Sequence, residues 1–377
     1  MLALCIALLI GCGRDESARL HGECATDSAR LAQLVTDADD FRDLLSPAGR
    51  VDPEFTNESI LGGVSIVRRH PAGLLIIDTQ QKPQAFLFKR DGTFLAKLGS
   101  TGEGPGEFSM LRDGAVASNG NVLLLSMEPA KLLEFAPTGV LVREIQLREL
   151  GIRPTQMRLV EAGDTRWVLF YNLDADFPGA SAGEKVVVAR LTDAGLEFEN
   201  AFGSPEPALR RLLFHMGGFD RRDGGDIWVS KVLELDTEIY DRNGEFVRLI
   251  DDPRPMLPGP HLSADLLRDY QRPSDALPTF QTTTRLIKTI HLDQYVINAY
   301  FSGVSEEIHL LFYTECGDLV PRSLVLKEAP LFYGIRGAWA DTVAVVTIPD
   351  DDAKSRAESA NPSIQLFSVA SIRDKPS

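Results

Sequence analysis

Six histidines are scattered along the chain, His21, His70, His215, His261, His291 and His309, and none stands at the HxH or HExxH spacing that brings two imidazoles onto one ion. No Gly-x-Ser-x-Gly elbow is present and no serine or cysteine has a base beside it in sequence, so nucleophilic catalysis has no motif to rest on. The acidic triplet Asp350-Asp351-Asp352 lacks the alternating ligands and central glycine of an EF-hand loop and reads as a solvated turn. Gly102-Glu103-Gly104-Pro105-Gly106-Glu107-Phe108 is rich in glycine but does not lead from a strand into a helix, as a phosphate cradle does. Its glycines permit a compact crossover and Pro105 stiffens it by fixing φ, which suits a connector between structural units.

The cysteines say more. Leu2 to Ile10 form an apolar run too short to span a bilayer, with the small residue Gly11 before the cut of a secretion signal. Leu9-Ile10-Gly11-Cys12 resembles a bacterial lipobox, which implies that Cys12 is lipidated, becomes the mature N-terminus and anchors the protein rather than catalysing anything. No Lys or Arg precedes the run, which leaves open a start upstream of Met1. Gly13, not Asp, follows the cysteine, and in the enterobacterial sorting rule that implies transfer to the outer membrane. Cys5 leaves with the signal, so Cys24 and Cys316 are the thiols that remain in an oxidising compartment. A disulfide between them would tie the N-terminal tether to the fifth hairpin; two separate free thiols are the other reading. Neither has the CxxC or paired-His company of a metal site.

The formal charge of -15 argues against sequence-independent binding of nucleic acid, which draws its affinity from Lys and Arg on phosphates. Acidity of this kind serves solubility first, with a divalent cation or a basic partner as the alternatives. With 44% apolar and 25% charged residues, and no later apolar run near the ~20 residues of a spanning helix, the expected contact with a membrane is through the lipid alone.

What must position any functional residue is a repeat. An aromatic residue, three turn residues and a glycine recur at Phe88 to Gly92, Phe135 to Gly139, Tyr240 to Gly244 and Tyr313 to Gly317, with a weaker copy at Leu191 to Gly195. The interval is roughly 50 residues, the size of a propeller blade. The first unit divides into strands Val64 to Arg68, Leu74 to Asp78, Ala85 to Phe88 and Phe94 to Leu98, and the second into Gly114 to Ala117, Val122 to Ser126, Leu132 to Phe135 and Val140 to Ile145. Further units span about Gln156 to Phe202, Leu213 to Ile250, Thr279 to Leu326 and Phe332 to Val369. The expected fold is therefore all-β, a six-bladed β-propeller with four-stranded antiparallel blades, behind a lipoprotein signal and a polar tether. Residues 1–11 are the signal, 12–50 the tether and docking segment with a short helix around Ala29 to Leu45, 51–372 the propeller and 373–377 a tail. Asp91-Gly92 and Asn243-Gly244 suit tight two-residue turns. In closed propellers the last blade is commonly completed from the other terminus, and the segment near Phe55 to Ile60 is the candidate.

The GEGPGEF string, with Gly114-Ala115-Val116-Ala117, Gly120-Asn121-Val122 and Lys131-Leu132-Leu133-Glu134-Phe135, resembles NHL-type repeats and, more closely, the six-bladed β-propeller lipoproteins of bacteria. The fourth unit joins the resemblance through Gly224 to Val229 and Ile239 to Gly244. The aspartate usual at the end of the second strand is Asp78 in the first unit but Ser126 and Ser230 in the second and fourth, which undercuts a shared ligand role there. Some NHL-type lyases hold zinc in the central channel, and gluconolactonase- and paraoxonase-like propellers hold calcium; no matched set of ligands can be carried onto this chain. The excursion 251–278 holds six prolines and lies where binding loops sit, with Arg268, Tyr270 and Arg272 as candidate contacts. A simple insertion packed on the rim is the equal alternative. The leading expectation is a lipid-anchored scaffold of the outer membrane or periplasmic face that binds a protein, peptide or glycan of the envelope without a cofactor. A hydrolase or lyase with calcium or zinc in the channel is the alternative.

Overall fold

Short runs of Val, Ile, Leu and Phe cut by Gly, Asn and Asp are too brief for helices and satisfy their backbone groups by pairing into antiparallel sheets. The fold is a computed structural model that describes residues 27–54, 56, 61, 63–79, 83–147, 151–175, 185–204, 218–221, 226–231, 235–261, 270, 273–326, 334–347 and 362–372. Six four-stranded sheets form. The first blade comprises Ile66–His70, Gly73–Asp78, Gln84–Lys89 and Phe94–Lys97, and the second Met110–Val116, Val122–Glu128, Ala130–Phe135 and Leu141–Gln146. The third runs from Ile152–Ala162 to Gly195–Phe202, the fourth from Gly218–Arg221 to Phe246–Leu249 and the fifth from Arg285–His291 to Leu319–Leu326. Ile335–Trp339, Thr342–Thr347 and Ser363–Val369 make three strands of the sixth. The first strand of each blade neighbours the first strands of the two blades beside it, so six inner strands ring one axis.

Successive side chains of a strand point to opposite faces, and in a propeller both faces meet another blade. Leu75 and Ile77 pack with the second blade, Leu74 and Ile76 with the sixth, and all of Gly73–Asp78 is buried. The core is accordingly divided into six apolar layers, one between each pair of adjacent blades. Outer strands carry less of this burden: Leu141–Gln146 has no fully buried residue.

The recurring glycine turn is not the two-residue turn expected from Asp91-Gly92. Gly92 N donates to Lys89 O and Lys89 N to Thr93 O, and the same pair of bonds closes Ala136 to Gly139, Asp241 to Gly244 and Thr314 to Gly317. These are three-residue loops, a turn followed by a bulged glycine, in which only the glycine needs a left-handed backbone. Gly92 has φ +89° and Gly244 φ +82°, whereas Asp91 and Asn243 are not among the positive-φ residues.

The ring closes with a strand from the N-terminal side. Leu45–Val51 pairs antiparallel with Ser363–Val369 and completes the sixth blade. It lies before the segment near Phe55 to Ile60, of which only Thr56 is described, and places residues 45–50 in the propeller rather than in the tether. A helix over residues 27–37 and the turn of 3-10 helix Phe41–Leu44 precede it, where one short helix to Leu45 was expected. Leu31, Leu34, Val35, Phe41 and Leu44 are buried in the layer between the fifth and sixth blades. No helix among the described residues is long and apolar enough to cross a membrane.

Candidate functional site in the central channel

Each inner strand carries a charged residue near its middle, and the ring brings these together. Arg68 of the first blade donates to Asp113 Oδ1 of the second at 3.0 Å. Asp113 Oδ2 accepts from Arg158 Nη1 of the third at 3.3 Å and from the Met157 amide at 3.0 Å. Arg158 Nε in turn donates to Asp220 Oδ1 of the fourth at 2.8 Å. A ladder of alternating sign thus crosses four blades. Arg68, Arg158 and Asp220 keep about a quarter of their side-chain surface accessible, 25%, 24% and 28%, although they sit on the innermost strands. Solvent reaches this tier.

On the other side of the ring the inner strands carry Lys288 and Arg336. Lys288, on the inner strand of the fifth blade, donates through Nζ to the carbonyl of Ile335 in the sixth. Arg336 is the extra residue of a β-bulge between Ile335 and Gly337, a device that turns a side chain out of the strand's alternation. Its Nε is buried with no hydrogen-bond partner. Burial, then the charges of Arg336 and Arg68, push the Lys288 ammonium down to about 7. Burial also opposes the charge of Asp220, but Arg158, His291 and Arg68 together hold its carboxyl at about 2. Arg68 and Asp220 belong to blades on opposite sides of the ring, so that influence acts across the channel. The inner strands thus carry Arg68, Asp113, Arg158, Asp220, Lys288 and Arg336 in turn, one from each blade.

This donor set does not suit a metal ion. Asp113 and Asp220 are both bound to Arg158, and a cation placed between them would sit beside Arg158 and Arg68. Among the described residues no three His, Cys, Asp or Glu side chains gather as a metal site requires. The histidines disperse: His70 Nε2 lies 2.9 Å from Gly120 O in a blade-to-blade hydrogen bond, while His291 meets Trp228 edge to face. The Asp78 position is structural, with Oδ2 accepting from Gly63 N at 2.8 Å, and Ser230 is bonded to Thr237 and Thr289. GEGPGEF is a crossover pinned to the second blade, where Lys131 donates to Gly104 O at 2.9 Å and Glu144 accepts from Gly106 N at 2.9 Å.

Of the residues singled out in the proline-rich excursion, Arg268 and Arg272 lie outside the described residues. Tyr270 is half-buried and its hydroxyl lies 2.8 Å from Thr279 Oγ1 on the helix Pro273–Thr282, an element that reaches into the expected start of the fifth unit. Leu257 packs into the layer between the fourth and fifth blades, so part of the excursion is core. Cys12 and Cys24 lie outside the described residues. Cys316 is disulfide-bonded, and every other cysteine of the chain falls within the first 26 residues. Sequence reasoning passed over Arg68, Asp113, Arg158, Asp220, Lys288 and Arg336. Their common signal is phase, a charge at the same place in the first strand of each repeat.

The architecture defines the class, a six-bladed β-propeller. Residues 51–174 match the family model DUF5128, described as a 6-bladed beta-propeller. A putative exported protein from Bacteroides fragilis is similar in structure, with a TM-score of 0.62 at 13% identity over 88% of this chain and 97% of its own. A DUF4221 member from Bacteroides vulgatus has a TM-score of 0.58 at 7% identity, covering 86% of this chain and 98% of its own. Virginiamycin B lyase from Staphylococcus aureus has a TM-score of 0.47 at 10% identity, over 85% and 98%. No curated protein matches the chain in sequence.

Proposed function

We propose that this propeller is an exported protein of the cell envelope, held by a lipid on Cys12, that binds a protein, peptide or glycan without turning it over. The observation that carries the binding reading is the ladder from Arg68 through Asp113 and Arg158 to Asp220. Its members are committed to one another, which makes a fixed, charged channel wall rather than an acid, base or nucleophile poised over a substrate. Export is supported by the disulfide of Cys316, a bond that persists in oxidising compartments, and by the likeness to a putative exported protein of Bacteroides fragilis. Cys24 is its proposed partner, and kinship with NHL-repeat proteins belongs to the same reading.

The test pairs binding with turnover on the purified protein. Glycan and peptide arrays should show saturable binding, while esterase, lactonase and lyase assays on the hits return no product. Stoichiometric calcium or zinc after dialysis, with a chelator-sensitive melt and measurable turnover, would overturn the reading, because a bound ion stabilises the native state by mass action.

A further inference from the structure

We infer that the lipid on Cys12 holds the ring with its face of tight hairpin turns towards the bilayer, so that the face of long connections points away from it. In each blade the antiparallel order puts the turns between first and second and between third and fourth strands at one end, and the other connections at the opposite end. The blades agree in this sense round the ring, because turn meets turn. His70 Nε2 lies 2.9 Å from Gly120 O, Glu161 Oε2 accepts from Ser118 N at 2.7 Å, and Asp293 N donates to Ala340 O at 3.1 Å. The chain enters the ring at this end. Ala370 N donates to Leu44 O at 2.7 Å, Val369 N to Asp341 O at 2.6 Å and Ile372 N to Gln294 Oε1 at 2.8 Å, which joins the start of the closing strand to the hairpin turns of the fifth and sixth blades. Leu31, Leu34 and Val35 of the preceding helix are buried in one layer with Leu292 and Ile372 of the same end. The long connections gather opposite. Ser109 N, just after GEGPGEF, donates to Glu128 O at 2.9 Å. Gly303 N, in the turn between the second and third strands of the fifth blade, donates to Thr283 O, just past the helix Pro273–Thr282, at 3.3 Å.

This inference rests on the reading of Cys12 as the lipid anchor and adds which face the anchor presents. Residue 27, the first of the described helix, is the fifteenth after Cys12, so covalent geometry limits the tether to about 50 Å. Strands such as Met110–Val116 make the ring about 20 Å deep. A tether leaving the turn face would use much of its reach in passing the rim and this depth before the opposite face could meet lipid. The proposed bond from Cys24 to Cys316 shortens the reach further. Cys316 lies in a turn between third and fourth strands, closed by Gly317 N on Thr314 O at 2.9 Å, and so belongs to the same end. Asp91, Asp164, Asp293 and Asp341 are exposed in these turns, and the cost of burying such charges keeps the face above the headgroups rather than among them.

Energy transfer to lipid tests the orientation. The full-length lipidated protein is bound to phosphatidylcholine vesicles that carry an acceptor dye on the headgroup. A maleimide donor is placed at Asp164→Cys in the turn face, or at Glu103→Cys or Val304→Cys in the other, all three positions being exposed. Wild type carried through the same labelling sets the background. Transfer from Asp164→Cys should exceed that from Glu103→Cys and Val304→Cys about two-fold or more, because the depth of the ring separates the faces by about 20 Å. Equal transfer from the three positions, or a reversed order, overturns the orientation and leaves the lipid reading standing. Wild type that fails to float with the vesicles overturns the lipid reading, and the orientation falls with it. Insertion of about 20 Gly and Ser residues after Ser17 lengthens the tether beyond the ring's own dimensions and should level the three signals. A difference that survives the insertion means that something other than the tether sets the face, which also overturns the inference.

Discussion

Gly92 shows how one residue governs closure. Its φ of +89° is left-handed, and a Cβ there would lie 2.0 Å from the carbonyl oxygen of Asp52, just past the strand that completes the sixth blade. Its carbonyl also accepts from Glu54 N at 2.8 Å. Gly92→Ala should cost about 2–4 kcal/mol, combining backbone strain with displacement of the closing strand; a denaturation midpoint unchanged from wild type would refute this. Arg158 carries a different burden, because it bonds both carboxylates of the channel ladder. Arg158→Met leaves Asp220 without its bonded cation and Asp113 with Arg68 alone, at a cost of about 3–5 kcal/mol. The sign of the pH effect is fixed by Asp220, held at about 2 in the native protein. In the variant its proton affinity rises, so part of the lost stability should return as pH falls towards 4, whereas wild type gains nothing there. Urea melts at pH 7 and pH 4.5 read both numbers.

At the scale of elements, the blades were legible and their closure was not. Middle strands such as Gly73–Asp78 are apolar on both faces because each face meets another blade, and that run of apolar residues is visible in any one repeat. Leu45–Val51 offers no such signal: it contains Pro47 and Gly49, it is exposed over most of its length, and its pattern is supplied by its partner Ser363–Val369. The channel charges hid for a related reason. A single Arg or Lys in a short strand looks like a solvated face, and only superposing the repeats puts Arg68, Arg158, Asp220 and Lys288 in phase. The helix over residues 27–37 and the turn Phe41–Leu44 are part of the ring and not a loose tether, since Phe41 is fully buried between the fifth and sixth blades. Phe41→Ala should therefore cost about 3–5 kcal/mol and unfold with the propeller in one transition. A separate, early transition with a stable ring beneath it would mean that this segment is an appendage.

For the whole molecule the question is how a ring of blades, each unable to bury its own faces, is kept shut. The hydrogen-bonded clasp of Leu45–Val51 on Ser363–Val369 is one device. The second is covalent: Cys316, at the outer hairpin of the fifth blade, is disulfide-bonded, and Cys24, ahead of the clasp in the sequence, is the partner proposed above. With Cys24 as the partner, the link would join the fifth blade to the chain ahead of the closing strand, and a closure of that length would remove much of the freedom of the unfolded chain. Cys316→Ser should lower stability by about 2–4 kcal/mol, and reductant should lower wild type by the same amount while leaving the variant unmoved. Cys24 is the partner that export would leave, so a non-reducing peptide map should join the peptide of Cys24 to that of Cys316. A free thiol at Cys316 in the purified protein, or a melt indifferent to reductant, would leave the clasp strand alone to close the ring.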